Sequence, residues 1–237
     1  MTHLVAHLLA LYIVLASPWL GCVVYEKARK RLRAGDSGAK VGLYRDLVTE
    51  EVILTAVVAG LWWSGKISAS QLGLCAPRSW ALTAAVMAVF AGWLVWSAIR
   101  LRPKAERIRK RYQDSMGLLF PDSPEERRWI GVISAGAGIS EELVFRGFLM
   151  YYLSAYVPHI NTAATAVCAS LIFGLAHIYQ GRMRGLAVAI IGLVFAGLYL
   201  LSGSLVLPMV IHAVMDYRAL LIFPPNAEPA VPVENAA

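Results

Sequence analysis

The feature that most constrains this chain is a series of apolar blocks long enough to cross a lipid bilayer. Seven such blocks lie along the 237 residues, at about 4–24, 47–63, 80–99, 129–156, 162–178, 186–201 and 205–223. A helix needs about 20 apolar residues to span the hydrocarbon core. The composition agrees, because 58% of the residues are apolar and 16% are charged, against about 25% charged in soluble domains. The sequence therefore predicts an all-α, polytopic transmembrane helical bundle of about seven spans, with eight as the alternative count.

The basic residues predict how these spans are oriented. The net charge is +7, and most Lys and Arg residues lie in two polar segments, 27–45 and 100–128. Loops rich in Lys and Arg stay on the cytoplasmic side of a membrane, so we expect the N-terminus outside and the C-terminus in the cytoplasm. This clustering favours the membrane lipid bilayer as a partner and argues against nucleic acid. The compact length favours a cell membrane, the plasma membrane of a bacterium or an archaeon.

The same pattern predicts four segments along the chain. Residues 1–103 hold the N-terminal spans with a basic cytoplasmic loop, and residues 104–129 form a cytoplasmic amphipathic linker. Residues 130–223 form a helical core that contains the remaining ionisable groups of the spans. Residues 224–237 are rich in Pro and Ala and are expected to be a disordered tail.

A few ionisable side chains interrupt the last four apolar blocks, and each costs about 2.5 kcal/mol or more in the hydrocarbon region, so each suggests a function. They are Glu141, Glu142, Arg146, His177, His212, Asp216 and Arg218. Glu142 and Arg146 share one helical face and can neutralise each other, which favours a structural role for this pair. Glu141 is rotated by about 100° from Glu142 and has no opposite charge one turn away, so it suits a general base or acid.

Two histidines lie on other spans. His177 ends the fifth block, and His212 forms an i, i+4 pair with Asp216 in the seventh. The residues before Glu141 are mostly Gly, Ala and Ser, which lets helices approach closely. We therefore expect both histidines to lie near Glu141.

Three short motifs resemble those of one known family. EELVFRG at 141–147 resembles EExxxR, FGLAH at 173–177 is similar to FxxxH, and HAVMD at 212–216 resembles HxxxN/D. These motifs, in this order, mark the CPBP family of CAAX-protease and bacteriocin-processing membrane peptidases, also called Abi. The resemblance covers about 120–218. It implies an intramembrane endopeptidase that cuts a membrane-anchored protein or peptide, either CAAX-like, bacteriocin-type or a C-terminal sorting tail.

The resemblance also implies a role for each residue of the motifs. Glu141 would activate a water and later donate its proton, and His177 would hold the same water. His212 would help to stabilise the oxyanion. Asp216 stands where the family also has Asn; an ionised Asp would repel the oxyanion, so it is either protonated or orients His212. Supporting residues are Glu142, Arg146 and Phe173.

Two alternatives remain open at this point. We expect a glutamate mechanism without a cofactor, but Glu141, His177 and His212 would also suit one Zn²⁺ with an open position for water. No HExxH sequence is present, so the common helical zinc motif is missing. The other alternative is a non-catalytic membrane protein of the same fold, with a role in immunity, scaffolding or proton-coupled transport.

Overall fold

In the computed structural model, which describes residues 2–223, the chain is helical and contains no strand in that range. Its α-helices are α1 (Thr2–Leu11), α2 (Ser17–Arg33), α3 (Ala39–Trp63), α4 (Trp80–Leu101), α5 (Ala105–Met116), α6 (Pro124–Glu141), α7 (Met150–Tyr156), α8 (Thr162–Ala176), α9 (Arg182–Ser202) and α10 (Val206–Ile222). The predicted all-α class is confirmed. The predicted tail, 224–237, lies outside the described residues.

Two π segments join helices into longer runs. Tyr12–Ala16 connects α1 to α2, and Glu142–Leu149 connects α6 to α7. The first and fourth apolar blocks therefore each form one helical run. In such π segments the backbone hydrogen bonds span five residues instead of four, and these segments are frequent at functional sites. The longer of the two begins directly after Glu141.

Three helical runs are long and apolar enough to cross a membrane, namely His3–Arg33, Trp80–Leu119 and Arg182–Ser202. They match the first, third and sixth predicted blocks. Large apolar side chains cover the outside of the bundle, as a surface facing lipid requires. The chain is thus a multi-pass membrane protein. The count of seven or eight spans and the orientation of the termini remain predictions.

The predicted linker, 104–129, contains a helix, a turn and the start of a second helix. A 3₁₀ turn at Gly117–Leu119 follows α5, and α6 begins at Pro124. The hydroxyl of Ser123 accepts a hydrogen bond from the Glu126 amide at 3.1 Å, which is a regular N-cap. Lys40 of α3 donates to the Phe120 carbonyl at 2.8 Å, so the turn is held against the N-terminal half. The helix that ends at Glu141 therefore starts inside the segment predicted to be a linker.

Small residues let the helices around Glu141 meet at backbone distance. A Cβ placed on Gly138 of α6 would lie 2.7 Å from the Cβ of Ala213 in α10. A Cβ on Gly174 of α8 would lie 2.6 Å from the Gly185 carbonyl oxygen and from the Cβ of Ala189 in α9. The close approach expected from the small residues before Glu141 is present at the Gly138 crossing, and the Gly174 crossing adds a second one that was not predicted. Together they bring α6, α8 and α10, the three motif-bearing helices, around one point.

Candidate active site

The three motifs meet at one cavity of about 460 Å³. Glu141 is the last residue of α6, and His177 caps the C-terminus of α8. His212 and Asp216 lie one turn apart in α10. All four residues line the cavity, and most of the other lining side chains are apolar. The predicted site residues are thus brought together from three separate helices.

Glu141 lies between the two histidines. Its Oε1 is 3.7 Å from Nε2 of His177, and its Oε2 is 3.7 Å from Nε2 of His212. Its side chain is 22% exposed, and Oε2 is buried without a hydrogen-bond partner in the described part of the chain. A distance of 3.7 Å is too long for a direct hydrogen bond, but a water oxygen at about 2.8 Å from the carboxylate oxygen and from the imidazole nitrogen of either pair would fit there. Glu141 can therefore share a water with either imidazole.

The hydrogen bonds of the two Nδ1 atoms determine whether each Nε2 donates a hydrogen bond to a water or accepts one from it. Nδ1 of His177 lies 2.9 Å from the Phe173 carbonyl oxygen, which can only accept, so Nδ1 carries a proton. Nδ1 of His212 lies 2.7 Å from Oε1 of Glu142, which also accepts when ionised. In the neutral tautomers both Nε2 atoms therefore present lone pairs towards Glu141. A partner that donates hydrogen bonds, such as a water, fits this arrangement.

The predicted Glu142–Arg146 pair is present and fully buried. The two side chains are 0% and 1% exposed, and their N–O distance is 2.9 Å. Arg146 also donates to the Gly192 carbonyl at 3.1 Å, and its guanidinium lies 4.4 Å from the centre of the Phe173 ring. Since Glu142 also accepts from His212, this pair connects all three motifs. It positions the site and is shielded from the cavity.

Asp216 does not hold the His212 ring in place. Its Oδ2 lies 3.6 Å from Nε2 of His212, the same nitrogen that faces Glu141. The hydrogen bond that fixes the ring comes from Glu142 on the opposite side. Asp216 is 39% exposed and adds a negative charge to the cavity wall.

The sequence reasoning did not single out Glu51 of α3 as a residue of this site. Glu51 lines the cavity, and its charge interacts with those of Glu141, Asp216 and His212. The Ser140 hydroxyl donates to the Glu51 carbonyl at 3.0 Å, and a Cβ on Gly136 would collide with the Glu51 carboxylate. The one available indication in the sequence was an acidic residue at the start of an apolar block.

Comparison with known families covers this part of the chain. Residues 125–218 match the family model described as type II CAAX prenyl endopeptidase, Rce1-like. This segment is similar to the Rce1-like family, and we refer to it as the Rce1-like segment. The family resemblance of the three motifs is thereby confirmed, and the Rce1-like segment contains all seven predicted catalytic and supporting residues. No curated protein and no solved structure matches the chain. Glu51 lies outside the Rce1-like segment, which makes up less than half of the chain.

The donor atoms of the Rce1-like site are of the kinds that zinc prefers, one carboxylate and two imidazole nitrogens. Both imidazoles are also fixed at Nδ1, as in many zinc sites. In the part of the chain that the structure describes, however, no group of three or more His, Cys, Asp or Glu residues is arranged to hold a metal ion.

Proposed function

We propose that the protein is an intramembrane endopeptidase that hydrolyses a peptide bond of a membrane-associated protein or peptide. The observation that carries this proposal is the position of Glu141, 3.7 Å from Nε2 of both motif histidines at the wall of an apolar cavity. The Rce1-like family is a family of membrane proteases. Its description favours a CAAX-type, prenylated substrate over a bacteriocin-type peptide or a sorting tail. We expect the enzyme to act in the cell membrane of a bacterium or an archaeon.

In the proposed reaction a water lies between Glu141 and His177. It donates one hydrogen bond to the Glu141 carboxylate and one to Nε2 of His177, which the tautomer at Phe173 leaves unprotonated. Glu141 removes a proton as the water oxygen bonds to the carbonyl carbon of the substrate. When the C–N bond breaks, Glu141 returns this proton to the leaving nitrogen. The products are a carboxylic acid and an amine, and Glu141 ends as it began.

His212 is proposed to stabilise the oxyanion. This role needs a proton on Nε2 as well as on Nδ1, so the ring has to be an imidazolium. Carboxylates face both nitrogens, Glu142 at 2.7 Å from Nδ1 and Asp216 at 3.6 Å from Nε2. Negative charges at these positions favour the charged ring. Asp216 then acts through the charge of His212 and does not itself need to donate to the oxyanion.

The replacement Glu141→Gln tests the proposed function, because it keeps the shape of the side chain and removes the base. Membrane proteomes from cells with the parent, the variant or neither are compared by mapping new peptide termini. We expect termini that depend on the parent protein and are reduced about 100-fold or more in the variant. Glu125→Gln, an exposed glutamate at the start of the same helix, is the control. Equal processing by Glu141→Gln, or no new termini with the parent, would refute the peptidase and favour a non-catalytic role.

The metal alternative needs a separate measurement. We expect the purified protein to retain full activity after exhaustive chelation, with metal content determined on the same sample. Activity that disappears on chelation and returns with stoichiometric Zn²⁺ would instead assign Glu141, His177 and His212 as zinc ligands.

A further inference from the structure

Two arginines face the cavity beside the proposed catalytic residues. Arg184 lies in the first turn of α9, and Arg218 lies in α10. Within the described residues neither forms an ion pair, and Arg184 makes no hydrogen bond. The Nε of Arg184 is nevertheless buried. Arg218 donates to the Ser97 hydroxyl at 3.1 Å, and its guanidinium lies 5.3 Å from the centre of the Trp93 ring.

The two arginines are close enough to repel each other. The positive charge of Arg184 acts on Arg218, and so does the opposite charge of Asp216. The Asp216 carboxylate, however, faces His212. A half-buried pair of cations without a bound carboxylate is unfavourable by itself, since burial of a charge needs a partner. A guanidinium also matches a carboxylate in shape and can bind it with two parallel hydrogen bonds.

We propose that Arg184 and Arg218 bind the free α-carboxylate at the C-terminus of the substrate. This inference rests on the proposed peptidase function and adds to it a rule for where the substrate is cut. Arg218 follows His212 by six residues in α10, which is about 9 Å along the helix axis. An extended peptide covers that distance with about three residues. A substrate anchored by its C-terminus is therefore cut near that end, at the bond that reaches Glu141.

The cavity that the arginines share with Glu141 suits apolar side chains. Val188 and Ile191 of α9 and Met215 and Ala219 of α10 also line it. The last residues of such a substrate would pack against them, with the carboxylate at the arginines. A lipid phosphate is the other anion that the arginines would attract, but the pair shares an apolar cavity with the catalytic residues. This position favours the peptide.

Binding of a defined peptide tests the proposed carboxylate site without depending on cleavage. The probe is a fluorescent peptide with a farnesylated cysteine near its C-terminus, made as the free acid and as the C-terminal amide. The full-length Glu141→Gln protein is used in phosphatidylcholine nanodiscs, so that the peptide is not consumed. We expect the acid to bind about tenfold more tightly than the amide, since a charge-assisted pair is lost with the amide.

Variants then assign the preference to the two side chains. Arg184→Gln and Arg218→Gln should each weaken binding of the acid and leave binding of the amide unchanged, which shows that the variants are folded. Arg184→Lys and Arg218→Lys should each keep part of the preference, because Lys keeps the charge but not the planar set of donors that matches a carboxylate. Arg182→Gln, an exposed arginine in the same turn of α9, should keep the full preference. Equal affinity for acid and amide, binding of neither, or a preference that survives the double Gln variant would refute carboxylate binding by the two arginines.

Further measurements separate this inference from the proposed peptidase function and from binding of a lipid headgroup. If the parent binds the acid selectively but cleaves neither peptide, the carboxylate site is confirmed and the proposed peptidase function is refuted. If the parent cleaves, lengthening the peptide by one residue at its C-terminus should move the cut by one residue in the same direction. A cut that stays at the same bond would contradict anchoring. Arginine-dependent binding of phosphatidylglycerol, with no preference between the peptides, would assign the pair to a lipid headgroup and overturn the proposal.

Discussion

Two glutamates that are neighbours in the chain lie in opposite environments. Glu142 is 0% exposed, and its Oε1 accepts hydrogen bonds from Arg146 and His212 at 2.9 and 2.7 Å. Glu141 is 22% exposed, and Nε2 of His177 lies 3.7 Å from it. We refer to Glu142 and Arg146 as the buried anchor, and to Glu141 and His177 as the cavity face. His212 touches the anchor with one ring nitrogen and the cavity face with the other.

The difference shows how one helical run serves two purposes. In the buried anchor, each charge has a close partner, so the groups are fixed and do not react with a water or a substrate. On the cavity face, the groups are too far apart to bond directly and remain available to a water and a substrate. Loss of the anchor should therefore affect stability first, whereas loss of the cavity face should affect cleavage alone.

The largest effect on stability is expected from Arg146→Met. This change leaves the Glu142 charge buried without its partner, which costs about 3–5 kcal/mol of unfolding free energy. The measurement is the unfolding free energy in detergent, compared with Arg102→Met, an exposed arginine that should have no effect. If Arg146→Met unfolds like the parent, the pair does not anchor the site. Glu141→Gln, by contrast, should unfold like the parent while losing cleavage.

The next largest effect is expected from Gly138→Ala. The new Cβ would lie 2.7 Å from the Cβ of Ala213 and 2.8 Å from its amide nitrogen, so α10 has to move and takes His212 away from Glu141. We expect a loss of about 1–3 kcal/mol in unfolding free energy, together with most of the cleavage.

Gly92→Ala is the control for this change, because a Cβ there has nothing within 4 Å. Both properties of that variant should match the parent. A fully active Gly138→Ala protein would show that the α6–α10 distance does not set the position of His212.

A smaller effect is expected from Glu51→Gln, because Glu51 lines the cavity with Glu141 and His212 and supports the positive His212 ring only in its ionised form. Cleavage should then fall by up to about fivefold, or about 1 kcal/mol. Stability should not change. Glu50→Gln is the control, because the Glu50 carboxylate accepts from Tyr12 and Ser17, both at 3.0 Å, and an amide oxygen can still accept. Equal losses in both variants would exclude a specific role for Glu51.

The smallest effect is expected from Asp216→Asn. Glu142, not Asp216, holds the His212 ring, so the ring should stay in place. The amide removes a negative charge that favours the positive His212 ring, but it can itself donate to the oxyanion. These two effects oppose each other, so cleavage should change by less than about threefold, or less than about 1 kcal/mol. Kinetics on one substrate decide this, and a variant with no activity would show that the carboxylate itself is required.

Much of this could be predicted because helical spacing is a local property. The i, i+4 spacing of Glu142 and Arg146 predicts an ion pair wherever a helix forms, and the structure has that pair. Glu51 could not be predicted in the same way, because its neighbours Glu141 and His212 are distant in the chain. Three of the seven predicted spans satisfy the criteria of length and apolarity. Of the other four, α3 and α6 contain acidic side chains in their apolar blocks, and α8 and α10 have 15 and 17 residues.

The sequence by itself determined that the chain is a helical membrane protein with three family motifs in order, and that Glu141 lacks a local partner. Apolar length, charge and periodicity are sufficient for these conclusions, because each depends on residues that are close in the chain. The tertiary structure decided which imidazole nitrogen faces Glu141, that Glu142 and not Asp216 holds His212, and that Glu51, Arg184 and Arg218 share the cavity. These relations depend on how helices pack at positions such as Gly138, and no local pattern encodes them.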